Sequence, residues 1–391
     1  MGSIRLGLIG CGGIAGAHAG AVASLKQGLA KANPQAPVVQ DVSVTAVVDP
    51  VAEARPPLAE KTGAQAFATL EDLLAARAAG TVAVDAAVLC VPPSCRIPLV
   101  EAALNAGLAV LAEKPLAHTV REAAALVALA EGHPDQLTAV AYCHRFTPAL
   151  VEMKRLLHAG KVGAPVRFEN HFACWHPTLQ TKWMSDPSIS GGGSLVDTGC
   201  HSLDLLGFLV DGLDRVNVRA VSLNHQWEGR GDTNATMLVD ATLDRDRFAG
   251  VIHSGWCEAD RFTVSITGTR GTLAYDFLDQ PEVLRFTPSH PDAGQPEAIT
   301  VENHDVRFVR QLAAFAHAFV EGGRAGLHEA HGLASFGEGA AVARLVQDAY
   351  AAAEAAPSKP APAPAPKPVV AADVPAPKLQ RGRRPGKPAN A

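Results

Sequence analysis

Three short stretches of the chain carry side chains able to do chemistry. In Glu113-Lys114-Pro115 a lysine follows directly on an apolar run. A lysine partly shielded from water can donate to a substrate hydroxyl, or exchange a proton with it once its pKa falls. An isolated loop lysine would simply be solvated. In the stretch 191–204 (GGGSLVDTGCHSLD), Asp197, His201 and Asp204 stand at i, i+4 and i+7, so a helix would place them on one face. Flanked by Leu195, Leu203, Leu205 and Leu206, they are costly to bury unless paired or functional. An imidazole beside a carboxylate is a good proton acceptor near neutral pH. The plainer alternative is a buried His–Asp pair that only locks the helix.

The third stretch, Gly10-Cys11-Gly12-Gly13-Ile14-Ala15, has the form G-x-G-x-x-[G/A] between an apolar run and an alanine-rich segment. Its glycines permit a tight turn and let backbone N–H groups approach a pyrophosphate at the positive end of a helix. This predicts a dinucleotide site built on Gly10, Gly12, Gly13, Ile14 and Ala15. Asp49 closes the next apolar run, where its carboxylate can accept from ribose hydroxyls. It would repel a 2′-phosphate and Pro50 supplies no cation, so NAD is favoured over NADP. Asp49 lies 34 residues after Ala15, against about 20 in the usual spacing. A loop around residues 33–37 accounts for the excess.

These stretches need a scaffold that collects them. Apolar runs at 4–10, 42–48, 82–91, 108–112 and 137–143 alternate with helix-like segments at 70–79, 97–106 and 120–131. Such alternation implies βαβ units and a parallel, doubly wound sheet, with ligands at the carboxyl ends of the strands. After about residue 143 the pattern changes. A helix at 147–159 and a strand at 166–172 precede strand-like runs at 216–222, 236–243, 248–254, 262–267 and 273–277, then helices at 308–321 and 332–354. Few helices intervene among those strands, so the second sheet is mostly antiparallel. The expected organisation is α/β: residues 1–143 as a dinucleotide-binding domain, 144–356 as a substrate-binding and oligomerisation domain with a large open sheet, and 357–391 as a disordered tail.

Taken together and in this order, the stretches resemble the Gfo/Idh/MocA family of nicotinamide-dependent oxidoreductases. Val88-Leu89-Cys90-Val91-Pro92-Pro93, Ala103-Leu104-Asn105-Ala106-Gly107 and Glu113-Lys114-Pro115-Leu116-Ala117 are similar to its signature block. Arg145-Phe146-Thr147-Pro148 resembles its R-F-x-P, and 157–163 its G-x-[IV]-G. Asp197-x-Gly-x-His201-x-x-Asp204 and Gly268-Thr269-Arg270-Gly271 match two later segments. The resemblance runs from about residue 4 to 354. It implies an N-terminal Rossmann domain and a C-terminal α/β domain whose open sheet forms homodimers or homotetramers. It also implies Lys114, Asp197 and His201 as the catalytic group, with His201 or Lys114 taking the proton of a secondary alcohol as hydride leaves for the nicotinamide. Pro92, Glu113 and Lys114 would border the cofactor, and Arg145, Asp197 and His201 the substrate. The family often has P-N-x-x-H after the third strand; here Pro92-Pro93-Ser94-Cys95-Arg96 stands in its place, and His144 is also unusual.

Trp175, His176, Lys182 and Trp183 are further candidates for the substrate pocket, since aromatic faces suit sugar rings. His171, Cys174 and His176 lack the paired spacing of structural zinc, so no metal is expected from this stretch. The resulting expectation is an NAD-dependent dehydrogenase acting on a hydroxyl or keto group of a sugar, sugar derivative or cyclitol. One rival is a glycoside-processing enzyme that oxidises a sugar transiently, distinguished by bond cleavage without net NADH. Another is a non-catalytic NAD-binding sensor or scaffold, which would have no need of Lys114, Asp197 and His201 together.

Composition sets the outer bounds. The 391 residues are 48% hydrophobic, enough for a sizeable core, with a net charge of −5 that disfavours a nucleic-acid or membrane coat. Seven scattered cysteines suit a reducing cytoplasm, and no run is long and apolar enough to span a membrane. The charge is uneven: residues 357–391 hold seven basic side chains and one acid, giving +6 and leaving −11 for the body. Within that tail, Arg381-Gly382-Arg383-Arg384-Pro385 loosely resembles a minor-groove hook, but a short basic terminus is more simply a solvated segment.

Overall fold

A computed structural model describes residues 3–27, 41–322 and 331–355. The expected loop at 33–37 and the tail 357–391 lie outside the described residues. Six parallel strands form the first sheet: β1 (Ser3–Ile9), β2 (Asp41–Val48), β3 (Gln65–Phe67), β4 (Ala86–Leu89), β5 (Ala109–Glu113) and β6 (Thr138–Ala141). Their order is β3-β2-β1-β4-β5-β6. The order reverses beside β1, so a crevice opens at the carboxyl ends of β1 and β4, where dinucleotides bind in such sheets. Strands β4 and β5 are buried along their whole length, as continuous apolar runs in a two-sided parallel sheet should be. Helices α1 (Gly13–Lys26), α2 (Arg55–Thr62), α3 (Leu70–Ala78), α4 (Arg96–Asn105) and α5 (Val120–Glu131) connect them. Thr69 caps α3 by accepting from the Asp72 N–H, and Asp72 reciprocates; Thr119 caps α5.

The second sheet has eight strands: β7 (Pro165–Trp175), β8 (Val216–Asn224), β9 (Asn234–Leu243), β10 (Asp246–Gly255), β11 (Cys257–Gly268), β12 (Gly271–Asp276), β13 (Val283–Pro288) and β14 (Glu297–Thr300). Their order is β14-β13-β12-β11-β7-β10-β9-β8, and only the β7–β10 pair is parallel. Inward side chains such as Phe168, Phe172, Met237 and Ile266 are fully buried, while the alternating outward positions are exposed or half-buried and mostly polar. Helices α6 (Pro148–His158), α7 (Pro187–Ser190), α8 (Cys200–Leu209), α9 (Arg307–Val320) and α10 (Phe336–Ala355) complete the body.

The two sheets share one core. A single buried cluster runs from Leu89, Val110 and Val140 to Phe168, Leu203, Met237 and Leu273. Ala334 bridges to Val140 on β6, leading into α10, which packs on both α5 and β8. Helix α9 returns from the second sheet to lie on α1 and β1, burying Leu312 and Phe315 with Leu6 and Leu8. Segment 144–356 therefore contributes to both cores. Among the described residues no helix is long and apolar enough to cross a membrane.

Candidate active site

The glycine turn sits where its spacing predicts. Gly10 has φ +94, and a Cβ there would lie 2.5 Å from the Cys90 carbonyl oxygen, so only glycine fits between β1 and β4. Its N–H donates to the Val48 carbonyl at 2.7 Å. Gly12 and Gly13 are exposed, and Cβ atoms on them would meet nothing within 4 Å. No side chain caps α1 and no acid occupies its first turn, leaving free donors at the positive helix end. The Asp49 carboxylate lies beside them, accepting from Cys11 N–H at 2.8 Å and Val51 N–H at 2.9 Å. Open space over free N–H groups, bordered by a carboxylate at the end of β2, fits an adenosine ribose and pyrophosphate. Arg55, at the start of α2, is close enough to act electrostatically on the Cys11 thiol.

A cleft of about 640 Å³, counting its open mouth, continues from this turn. Ile14, Pro93, Arg96, Glu113, Lys114 and Asp197 line it, together with Trp183 and Met184. Lys114 Nζ donates to Asp197 Oδ1 at 2.6 Å and to the Asp197 carbonyl at 3.1 Å. Burial disfavours the ammonium, but the surrounding groups, Asp197 first and then Cys200 and Glu113, together outweigh it and hold the lysine pKa above its ordinary value. Trp256, fully buried, donates its Nε1 hydrogen to Asp197 Oδ2 at 3.2 Å. Asp197 is thus gripped from two sides, and the ammonium points into a cleft whose other walls are largely apolar.

Glu113 borders the cleft but turns its carboxylate inward. Its Oε1 pairs with His18 Nε2 at 2.8 Å, both groups buried, tying β5 to α1. Arg96, in place of the family's usual histidine, donates to the carbonyls of Val91 and Pro115 and so fixes both cleft-lining turns. Burial pulls its pKa down to about 10. Pro92 is half-buried beside Pro93, which rather than Pro92 reaches the cleft.

The stretch 191–204 departs from a single helix. Residues Leu195–Gly199 form a π-helical turn before α8 begins at Cys200. Its i→i+5 closure rotates the later residues relative to an α-helix, and Asp197, His201 and Asp204 each take a different partner. Asp197 faces Lys114. His201 is half-buried against His144, with ring centroids 4.7 Å apart, and Tyr142, and its Nδ1 is buried without a partner. Burial, followed by the charge of Lys114, holds the imidazole pKa well below its ordinary value. The expected imidazole–carboxylate pair is absent among the described residues: Asp204 is taken by Arg145, at 2.6 Å, in a buried pair extended to Glu338. Burial pushes the Asp204 carboxyl up to about 6 against the pull of Arg145.

That pairing corrects the expectation for Arg145, whose guanidinium is spent on Asp204 and Glu338 inside the core and does not reach the cleft. Of the four pocket candidates, Trp183 lines the cleft; Trp175, His176 and Lys182 are exposed and lie off its walls. Two residues that the motifs did not single out hold the glycine-rich segment. Buried Asp232 accepts from Gly193 N–H, Ser194 Oγ, Leu195 N–H and Tyr350 Oη. A Cβ on Gly193 would collide with the Asp232 carbonyl oxygen, 2.0 Å away. Asp232 lies just before β9 and Trp256 between β10 and β11, in no motif, so only their partners across space reveal them.

Residues 4–141 match the model of an oxidoreductase family with an NAD-binding Rossmann fold, and 150–274 match the C-terminal domain of the same Gfo/Idh/MocA group. The chain belongs to the Gfo/Idh/MocA family of NAD-binding oxidoreductases. It is 26% identical to the rhizopine catabolism protein MocA of Rhizobium meliloti over 72% of this chain and 81% of that one. It is 29% identical to an inositol 2-dehydrogenase of Corynebacterium glutamicum, over 41% of this chain and 43% of the relative. A levoglucosan dehydrogenase, solved with NADH and levoglucosan, superposes with a TM-score of 0.76 over 90% of this chain and 98% of that one. At 18% identity that likeness defines the fold alone.

Proposed function

We propose that this protein transfers hydride between NAD and a secondary hydroxyl or keto carbon of a sugar, sugar derivative or cyclitol. The observation that carries the proposal is the Lys114–Asp197 pair at 2.6 Å, projecting into a cleft that begins at an uncapped glycine turn. When bound, the nicotinamide supplies the hydride donor or acceptor. Lys114, held as an ammonium by Asp197, donates to the substrate oxygen and stabilises the negative charge that builds on it. His201, held neutral, is in the basic form at pH 7 and is assigned the proton of the alcohol. Trp256 and Asp197 fix the direction of the ammonium, and Trp183 offers an aromatic wall for a polyol ring.

The inositol and levoglucosan relatives support the substrate class, and Asp49 supports NAD over NADP. Self-association through the outer face of the second sheet, within a cytoplasmic setting, belongs to the same proposal. A screen of NAD reduction over sugars, sugar acids, inositols and nucleotide sugars tests it. Net NADH formation with an intact oxidised product is the expected result; bond cleavage without net NADH would replace the proposal with transient-oxidation chemistry.

A further inference from the structure

On the outer face of the second sheet, away from the cleft-lining residues, three ligating side chains converge. His171 on β7 and His253 on β10 are direct neighbours in the parallel register, with ring centroids 4.3 Å apart. Glu258 on β11 reaches over both: its Oε1 is 2.5 Å from His253 Nε2 and its Oε2 is 3.3 Å from His171 Nε2. One ligating atom from each of the three lies within 4.8 Å of the other two. The separation along the chain, 82 residues between the histidines, hides this set from any local spacing rule.

The backbone is shaped to bring them together. The β11–β7 register shifts between Cys257 and Arg261, a bulge that re-aims Glu258 across the pair of strands. A Cβ on Gly255 would lie 2.2 Å from Glu258 Oε1 and 2.4 Å from Asn234 Nδ2, so glycine leaves the room they occupy. Outer partners fix the ligands: Thr236 Oγ1 bonds His253 Nδ1 at 2.7 Å, and Asn234 Nδ2 donates to Glu258 Oε1 at 2.6 Å. Bonding one ring nitrogen of a histidine while the other faces a carboxylate is the arrangement that orients metal-binding imidazoles. The three side chains are 21%, 22% and 29% exposed in the single chain.

We propose that His171, His253 and Glu258 form a binding site for a divalent transition-metal ion of the zinc class, clasping strands β7, β10 and β11. Two imidazoles and one carboxylate suit zinc, with a fourth position left to water. Ligands at about 2.0–2.1 Å in a tetrahedron stand about 3.3 Å apart, the present His171–Glu258 distance. The His253–Glu258 contact opens slightly as the ion replaces the hydrogen between them. The proposed hydride transfer uses none of these three groups.

The test is calorimetric titration of the untagged, chelator-treated full chain with Zn²⁺, alongside His253→Ala, His171→Ala and Glu258→Gln. The expected result is one equivalent bound at micromolar or tighter dissociation constant, weakened at least tenfold in each variant, with NADH binding unchanged. Co²⁺ should give the visible bands of a four-coordinate site in the wild type and lose them in Glu258→Gln. That variant keeps its side-chain volume, so it carries the test if a histidine variant fails to fold. Absence of Zn²⁺ binding by the wild type, or equal binding by all four proteins, would overturn the proposal.

Discussion

At the scale of residues, the chemistry turns on how Asp197 divides its two oxygens. One holds the Lys114 ammonium and the other accepts from Trp256. Trp256→Phe keeps the buried ring but removes that donor; kcat should fall by up to about tenfold with little change in substrate KM. A readout confined to stability would show Trp256 to be a packing residue only. The pH profile follows from the opposed shifts of the two titrating groups. His201 is pushed well below its ordinary 6.5, so the neutral acceptor persists on acidification and activity declines only well below that value. Lys114 is raised above its ordinary 10.5, so no loss from its deprotonation should occur below that pH. A limb centred at pH 7–8 in kcat would contradict both assignments. Beside the glycine turn, Asp49→Ala should raise the KM for NAD by about tenfold while leaving that for NADP less affected. Lys114 and Asp49 could be placed from the sequence because each follows directly on an apolar run that forms a strand. Arg145 was misjudged from its motif, since whether an arginine faces a cleft or a buried carboxylate depends on a partner 59 residues away.

Among the elements, the π-helical turn at Leu195–Gly199 matters most for the site. It leads directly into α8, and the three residues take different partners: Asp197 pairs with Lys114, His201 packs on His144 within reach of the Lys114 charge, and Asp204 pairs with Arg145. Periodicity of side chains shows neither a change in helical closure nor the partner that each residue takes. The turn is anchored by Asp232, four of whose bonds go to Gly193, Ser194, Leu195 and Tyr350. Tyr350→Phe removes one of them from a buried carboxylate and should cost about 1–3 kcal/mol, read by denaturant unfolding, with a rise in substrate KM as the loop loosens. An unchanged midpoint and unchanged KM would deny the anchor. The long apolar runs that became β1, β2, β4 and β5 were legible from composition alone. The three residues of β3 and the exposed alternation of β13 and β14 were not, being too short or too polar to stand out from loops.

Over the whole molecule, the two sheets are one cooperative body around a cleft. The cluster joining Val110 to Phe168 and Met237, and the return of α9 onto α1, leave little for either half to keep if the other unfolds. Thermal unfolding should therefore show one transition for residues 3–355, and NADH at a hundred times its dissociation constant should stabilise it by about 2.7 kcal/mol. Two transitions, only one of them moved by NADH, would separate the halves. The alternation of strands and helices foretold the first sheet and the succession of strand-like runs the second, but not that α9 crosses back, because an amphipathic helix does not name the surface it covers. The most direct test of the central claim is turnover of Lys114→Ala, with NADH formation followed on a substrate found for the wild type. Loss of about 10²–10⁴-fold in kcat, with NADH affinity within a few-fold of wild type, is the predicted result. A variant turning over the same substrate within tenfold of the wild type would contradict it.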